Sequence, residues 1–155
     1  MNPRKVEDLI KKICPEAEGK VGIDGRLWIK VPANKIKDLL KEMRKNGYRH
    51  ITTITAVDLL EKFELIYHLL PDSKEDPYLN IRTEISREKP HIVSVTDVYP
   101  AANIYEREIF DLFGIIFDGH PNLKRLLLSE DVPEGFYPLR KDFKIENFEK
   151  KEVKK

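Results

Sequence analysis

Two strand-like stretches joined by four residues place the strongest constraint on how this chain can fold. From His50 to Asp58 the β-branched run Ile51-Thr52-Thr53-Ile54-Thr55 favours a strand, and from Phe63 to Leu70 apolar side chains alternate at Phe63, Leu65, Tyr67 and Leu69. A link of Leu59 to Lys62 is too short for a parallel crossover, so it predicts an antiparallel hairpin. Tyr78 to Ile85 alternates again, with Leu79, Ile81, Thr83 and Ile85 opposite Asn80, Arg82 and Glu84. The hairpin therefore extends to a meander with one apolar and one wet face, turning at the polar segment Pro71 to Pro77.

A sheet with one apolar face needs helices to cover it, and the sequence supplies three. Val6, Leu9, Ile10 and Ile13 fall at i, i+3, i+4 and i+7, the spacing of one helix face ending near Pro15. Leu27 to Val31 reads as a short strand, after which Pro32-Ala33-Asn34 opens a helix carrying Ile36, Leu39, Leu40 and Met43, stopped by Gly47. Beyond a short apolar piece at Ile92 to Val95, a third helix runs from about Pro100 to Phe113, with Tyr105, Ile109, Leu112 and Phe113 on one face and Gly114 at its end. The expected class is α+β: a mostly antiparallel sheet covered by helices, followed by an extended C-terminal arm. The expected division is an α+β domain over residues 1–117 and a partner-binding arm with a charged tail over 118–155.

The arm is the segment that a lone domain does not explain. Asp118 to Phe143 carries Pro121, Pro133 and Pro138 with Gly119 and Gly135, and has neither helical nor strand periodicity. Disorder requires a shortage of apolar side chains, and Leu123, Leu126, Leu127, Leu128, Phe136, Tyr137, Leu139 and Phe143 leave no such shortage. Each forfeits on the order of 1.5–3 kcal/mol if held in water rather than buried. The chain's own sheet is one cover for them; a partner protein is the expected cover for the arm as a whole. Arg140-Lys141-Asp142 sets charges between Leu139 and Phe143, and at an interface Arg140 suits a bidentate contact with a carboxylate.

Composition excludes several functions. The 28 Lys and Arg against 27 Asp and Glu leave a net charge of +1, so no global field draws nucleic acid or an anionic bilayer. Charged residues interrupt every apolar run long enough to span a bilayer. The single cysteine, Cys14, supplies too few thiolates for a disulfide, a four-cysteine zinc site or an iron–sulfur cluster, and beside Pro15 on an apolar helix face it reads as a small buried hydrophobe. Gly22-Ile23-Asp24-Gly25 is a turn and lacks the spacing of a dinucleotide or phosphate loop. High Lys and Glu content with ten prolines matches a thermophile's habits.

One long stretch carries a resemblance: Glu106-Arg107-Glu108-Ile109-Phe110-Asp111-Leu112-Phe113-Gly114-Ile115-Ile116-Phe117-Asp118-Gly119-His120-Pro121, followed by Leu123, Arg125, Leu126 and Leu127. A second is Tyr137-Pro138-Leu139-Arg140-Lys141-Asp142-Phe143, with supporting matches at Phe63 to Leu69, Ser94 to Asp97 and Pro100 to Asn103. These resemble the signature of the thirty-kilodalton (C-type) subunit family of NADH:quinone oxidoreductase (complex I) and the related subunit of membrane-bound nickel–iron hydrogenases. The resemblance implies a structural subunit of the hydrophilic arm with no flavin, quinone or cluster of its own. Its implied partners are the large catalytic, hydrogenase-like subunit and the cluster-bearing small subunit. Iron–sulfur clusters and the nickel–iron or flavin and quinone sites then lie on those partners. The membrane is met only through the complex, at its cytoplasmic side. The implied interface is Glu106, Arg107, Glu108, Asp111, His120, Pro121, Arg125 and the stretch Tyr137, Pro138, Leu139, Arg140, Lys141, Asp142 and Phe143. Tyr99, Ile104 and Phe110 stand where the complex I branch more often has tryptophan, which with the composition leans toward an archaeal-style membrane-bound hydrogenase.

Enzymatic chemistry has one candidate cluster, Glu106, Glu108 and Asp111 with His120. A free-standing metal-dependent enzyme using Glu108, Asp111 and His120 is the alternative of another class. Carboxylates at helical spacing without paired histidines are more often a solvated face or a partner to arginine, and Arg107 at i, i+4 from Asp111 is expected to pair with it. His50, His68 and His91 are scattered and read as structural, and His120 as a residue bonding nearby backbone carbonyls.

Overall fold

The computed structural model describes residues 3–146. It contains helices α1 (Pro3–Ile13), α2 (Ile36–Lys45) and α3 (Ala102–Phe113), and strands β1 (Glu18–Val21), β2 (Leu27–Lys30), β3 (His50–Asp58), β4 (Lys62–Leu70), β5 (Leu79–Ser86), β6 (His91–Val93) and β7 (Ile116–Asp118). Five strands form one sheet in the order β1-β2-β5-β4-β3, and β6 pairs with β7 in a separate parallel ribbon. The predicted hairpin is β3–β4, and β4–β5 completes the meander. The class is α+β, as expected, but the sheet is mixed because β2 lies parallel to β5.

The apolar faces meet as their periodicity requires. Leu27 and Ile29 stand beside Leu79 and Ile81 in register, Tyr67 stands opposite Ile81, and all of them join one core with Val6, Ile10, Leu39, Leu40 and Met43. Burying each such side chain contributes roughly 1.5–3 kcal/mol. Cys14 is fully buried and belongs to the same core.

The other sheet face is polar yet less wet than the alternation suggests. Glu84 receives both Lys30 (2.9 Å) and Lys62 (2.8 Å), and the Arg82 guanidinium donates to both oxygens of Glu64 at 2.7 and 3.0 Å. Glu64 and Asn80 are buried on this face, so the long cationic side chains shield it.

Strands β1 and β7 have no counterpart in the sequence reading. Glu-Gly-Lys-Val in β1 has no apolar alternation, and it forms because the Gly22–Gly25 turn folds it back onto β2. Strand β7 forms because the chain leaving α3 turns at Gly114 (φ 71°) and returns alongside β6. Helix α3 is buried on more than the expected face: Ala102, Glu106, Ile109, Asp111 and Phe113 are buried, while Tyr105 and Leu112 are only half-buried. Asp111 is covered by the segment after β7, which forms no further strand among the described residues and returns across this helix, and Glu106 by the Ser94–Val95 stretch after β6. The charged tail beyond residue 146 lies outside the described residues.

Candidate functional site

Helix α3 grips the returning segment by its backbone. Asp111 Oδ2 accepts the amide N–H groups of Leu126 (3.1 Å), Leu127 (2.8 Å) and Leu128 (2.8 Å). One turn earlier, Arg107 donates from Nε to the carbonyl of Lys124 (3.1 Å) and from a terminal nitrogen to that of Arg125 (2.7 Å). The expected Arg107–Asp111 ion pair is therefore not formed: the acid takes the loop's donors and the base its acceptors, since both sets would otherwise lack partners. Arg125 in turn donates to the carbonyls of Ser129 and Val132, closing the loop on itself. Burial opposes the charge on Asp111, but the three amides hold its carboxyl below the usual range.

A second grip lies at the end of β3. Asp58 is 3% exposed. Its Oδ1 accepts from the Leu60 amide (2.8 Å) and Arg87 Nε (3.1 Å), and its Oδ2 accepts from Arg87 (3.1 Å) and the Lys141 amide (3.0 Å). Arg87 also reaches Asp142 at 2.6 Å. Burial disfavours the ionised Asp58, yet the Lys141 amide, the Arg87 fork and the Leu60 amide together lower its pKa. Leu60, at φ 72°, adopts a left-handed turn closed by this carboxylate.

Between the two grips, Tyr137 lies where any side chain on Gly114 would collide with its ring. The Arg140 guanidinium sits over Tyr137 (4.4 Å) and Phe63 (5.2 Å) and donates to the Phe113 carbonyl at 2.7 Å. Within the chain Arg140 thus stacks on two rings, while the bidentate arginine–carboxylate contact of this region is the one between Arg87 and Asp58. Leu139 donates its amide to Leu112, and Phe136 meets Phe143 edge to face. Pro138 lies half-buried in this run.

Several interface candidates are turned inward. Glu106 is fully buried, with Oε2 accepting from Ser94 Oγ (2.6 Å) and Oε1 from the Val95 amide (2.8 Å). Burial raises its pKa to about 7 against the pull of those two donors. Leu127 and Leu139 are more than half exposed, and Pro121, Lys141 and Asp142 face outward. Asp58 and Arg87 are contributors outside the expected interface, and Phe63 and Gly114, which fall in the family-like stretches, were expected only as a strand residue and a helix end; the Asp preceding a short turn was the one signal for the first.

Glu108, Asp111 and His120 are not brought together as ligands. His120 bonds the Asn103 carbonyl (3.3 Å) through Nε2 and accepts the Asn122 amide (3.0 Å) at Nδ1, while Asp111 holds its three amides. Among the described residues no group of three His, Cys, Asp or Glu is placed to hold a metal ion. Asp111 and His120 are thus each engaged with different backbone groups.

The gripped segment and its anchors fall within a region, residues 29–149, that matches the family described as respiratory-chain NADH dehydrogenase, 30 Kd subunit. The chain belongs to this family. Within it, the chain is 37% identical over 142 residues to the C subunit of the NADH-quinone oxidoreductase of Moorella thermoacetica, covering 88% of this chain and 92% of that one. It is 36% identical over 132 residues to NADH-quinone oxidoreductase subunit 5 of Thermus thermophilus, spanning 78% of this chain but only 63% of that relative's length. A solved family-like chain from the membrane-bound sulfane sulfur reductase, an archaeal respiratory membrane complex, superimposes with a TM-score of 0.85 at 34% identity, over 100% of this chain and 93% of that one. A trypsin-resistant fragment of Nqo5 superimposes with a TM-score of 0.69 at 28% identity, over 79% of this chain and 100% of the fragment. These relatives are subunits of multi-subunit oxidoreductase complexes. Among the described residues of this chain, no helix is long and apolar enough to cross a membrane.

Proposed function

We propose that this chain is a non-catalytic structural subunit of a complex-I-like membrane-bound oxidoreductase, docking on the large catalytic subunit through α3 and the gripped segment 120–143. The observation that carries this reading is the way Asp111, Arg107 and Asp58 hold the segment by its backbone. Backbone anchoring leaves apolar side chains such as Leu127 and Leu139 outward, in a fixed geometry suited to presentation. The chain itself holds no flavin, quinone or cluster in this reading, and works peripherally at the cytoplasmic face by keeping cluster-bearing neighbours in register.

Our preferred branch is an archaeal-type complex with a hydrogenase-like large subunit, specifically a membrane-bound nickel–iron hydrogenase. Its support is the residue choice at Tyr99, Ile104 and Phe110 and the likeness, over 100% of this chain, to a chain of an archaeal respiratory membrane complex. A quinone-reducing complex is the second reading, supported by the NADH-quinone oxidoreductase names of the sequence relatives. Native affinity purification from gently solubilised host membranes tests both. Co-purifying nickel, iron and hydrogen evolution supports the first, and flavin or quinone reduction without nickel the second. Recovery of the chain alone sinks the docking role.

A further inference from the structure

Strand β3 is the last strand of the five-stranded sheet and pairs only with β4 among the described residues. The Leu59 amide donates to the Lys62 carbonyl at 2.9 Å, which fixes the alternation along the hairpin. Thr53, Thr55 and Val57 therefore turn their backbone groups toward β4, and Ile54, Ala56 and Asp58 turn theirs away from it. No backbone hydrogen bond beyond the sheet ladders involves Ile54, Ala56 or Asp58 among the described residues; the Ile54 carbonyl meets only the Thr53 hydroxyl, at 3.4 Å. Thr55 is exposed and Ala56 and Val57 are half-buried, so the stretch stays reachable from solvent.

The two edges of the sheet differ. Strand β1 is four residues long and includes Glu18 and Lys20, the short, charged form in which an edge resists pairing. Strand β3 is nine residues long and, in a chain of which 35% is charged, has no Lys, Arg, Glu or Pro. Its one acid, Asp58, is buried. A register shift between Ile51 and Thr53 confines the regular edge to residues 53–58. An uncharged, regular edge is a template for another strand, and an extended backbone is what matches its alternating donors and acceptors. This edge ends at Asp58, whose carboxylate holds the Lys141 amide, so it is continuous with the segment proposed to dock.

We propose that an extended strand of the docked subunit adds to β3, its backbone pairing with that of Ile54, Ala56 and Asp58. This rests on the docking reading above and names a backbone contact that carries it.

Amide hydrogen exchange of the isolated full chain and of the purified complex, read residue by residue by mass spectrometry, tests the added strand. In the isolated chain Ile54 and Ala56 should exchange fast, and Thr53 and Thr55, paired to β4, slowly. In the complex Ile54 and Ala56 should slow by about 10-fold or more, with a smaller change at Thr53 and Thr55. Ala56→Pro removes an N–H that no residue of the chain accepts, so the isolated variant should still melt cooperatively, yet it should recover about 10-fold less partner. Ala56→Ser keeps that N–H and should recover as much as the parent chain. Partner recovery unchanged by Ala56→Pro, or lost equally with Ala56→Ser, overturns the added strand; if Ala56→Pro does not fold, the exchange pattern decides alone. Slow exchange at Ile54 and Ala56 in the isolated monomer, or no slowing in a complex that still co-purifies, overturns the added strand and leaves the docking reading standing. A concentration-dependent dimer of the isolated chain in sedimentation equilibrium, with Ile54 and Ala56 protected, assigns the edge to a second copy and overturns the partner's strand. Recovery of the chain alone overturns the docking reading, and the partner's strand with it.

Discussion

The carboxylate of Asp58 accepts the backbone N–H of Lys141 at 3.0 Å, across 83 positions of sequence. The same oxygen receives Arg87, so one buried acid fastens the C-terminal run to the end of β3. Removing one partner of a buried, hydrogen-bonded pair costs about 3–5 kcal/mol; because Arg87 keeps some exposure, the lower end applies here. Asp58→Ala should therefore destabilise the isolated chain by about 3 kcal/mol and speed tryptic cleavage after Arg140 and Lys141. Unchanged cleavage at those two bonds would show that the segment is held by something else.

Gly114 combines a φ of 71° with contact against the Tyr137 ring. Gly114→Ala should cost about 1–2 kcal/mol from the left-handed backbone alone, and more from the collision. In a Tyr137→Ala background only the backbone part should remain. Denaturant unfolding of the two single variants and the double variant measures the coupling, and strict additivity would argue against the contact.

Glu106 makes stability depend on pH. Its folded pKa of about 7 lies above the ordinary 4.5, so the folded state holds the proton more tightly. The stabilisation this contributes is fully present below pH 4.5 and is lost as pH rises through about 7. Glu106→Gln cannot ionise and should gain on the parent chain by up to about 3 kcal/mol between pH 5 and pH 8. Melting curves of both proteins across that range check this; parallel curves would mean that Glu106 titrates normally.

Asp111 holds three consecutive amides, so its loss should show locally. Asp111→Ala should cost about 2–3 kcal/mol and raise hydrogen exchange at Leu126, Leu127 and Leu128 by about 10-fold or more, while the amides of β4 change little. Arg107→Ala should loosen the same loop more mildly, since its carbonyl acceptors can turn to water. Exchange spread evenly over the chain would argue against a local grip.

The β3–β4 hairpin, the meander and the three helices were legible because a short link and a hydrophobic period are local properties. Strand β1 was not, since Glu18-Gly19-Lys20-Val21 has no pattern of its own and becomes a strand only where β2 offers an edge. The parallel pairing of β2 with β5 was equally hidden, because the intervening helix and hairpin leave its direction open. The expected Arg107–Asp111 pair failed for a related reason. Spacing puts the two on one helix face, but it does not reveal that a loop with unsatisfied amides and carbonyls will lie across that face.

By itself, the sequence determined the α+β class, the helix and hairpin positions, and a Pro-rich apolar segment that had to be covered, because each follows from period, turn chemistry and the cost of wet apolar surface. Only the tertiary structure decided how that segment is held. Asp58, Arg87, Gly114 and Tyr137 are far apart in the chain, and hydrogen bonds between backbone and side chain leave no periodic trace in a sequence.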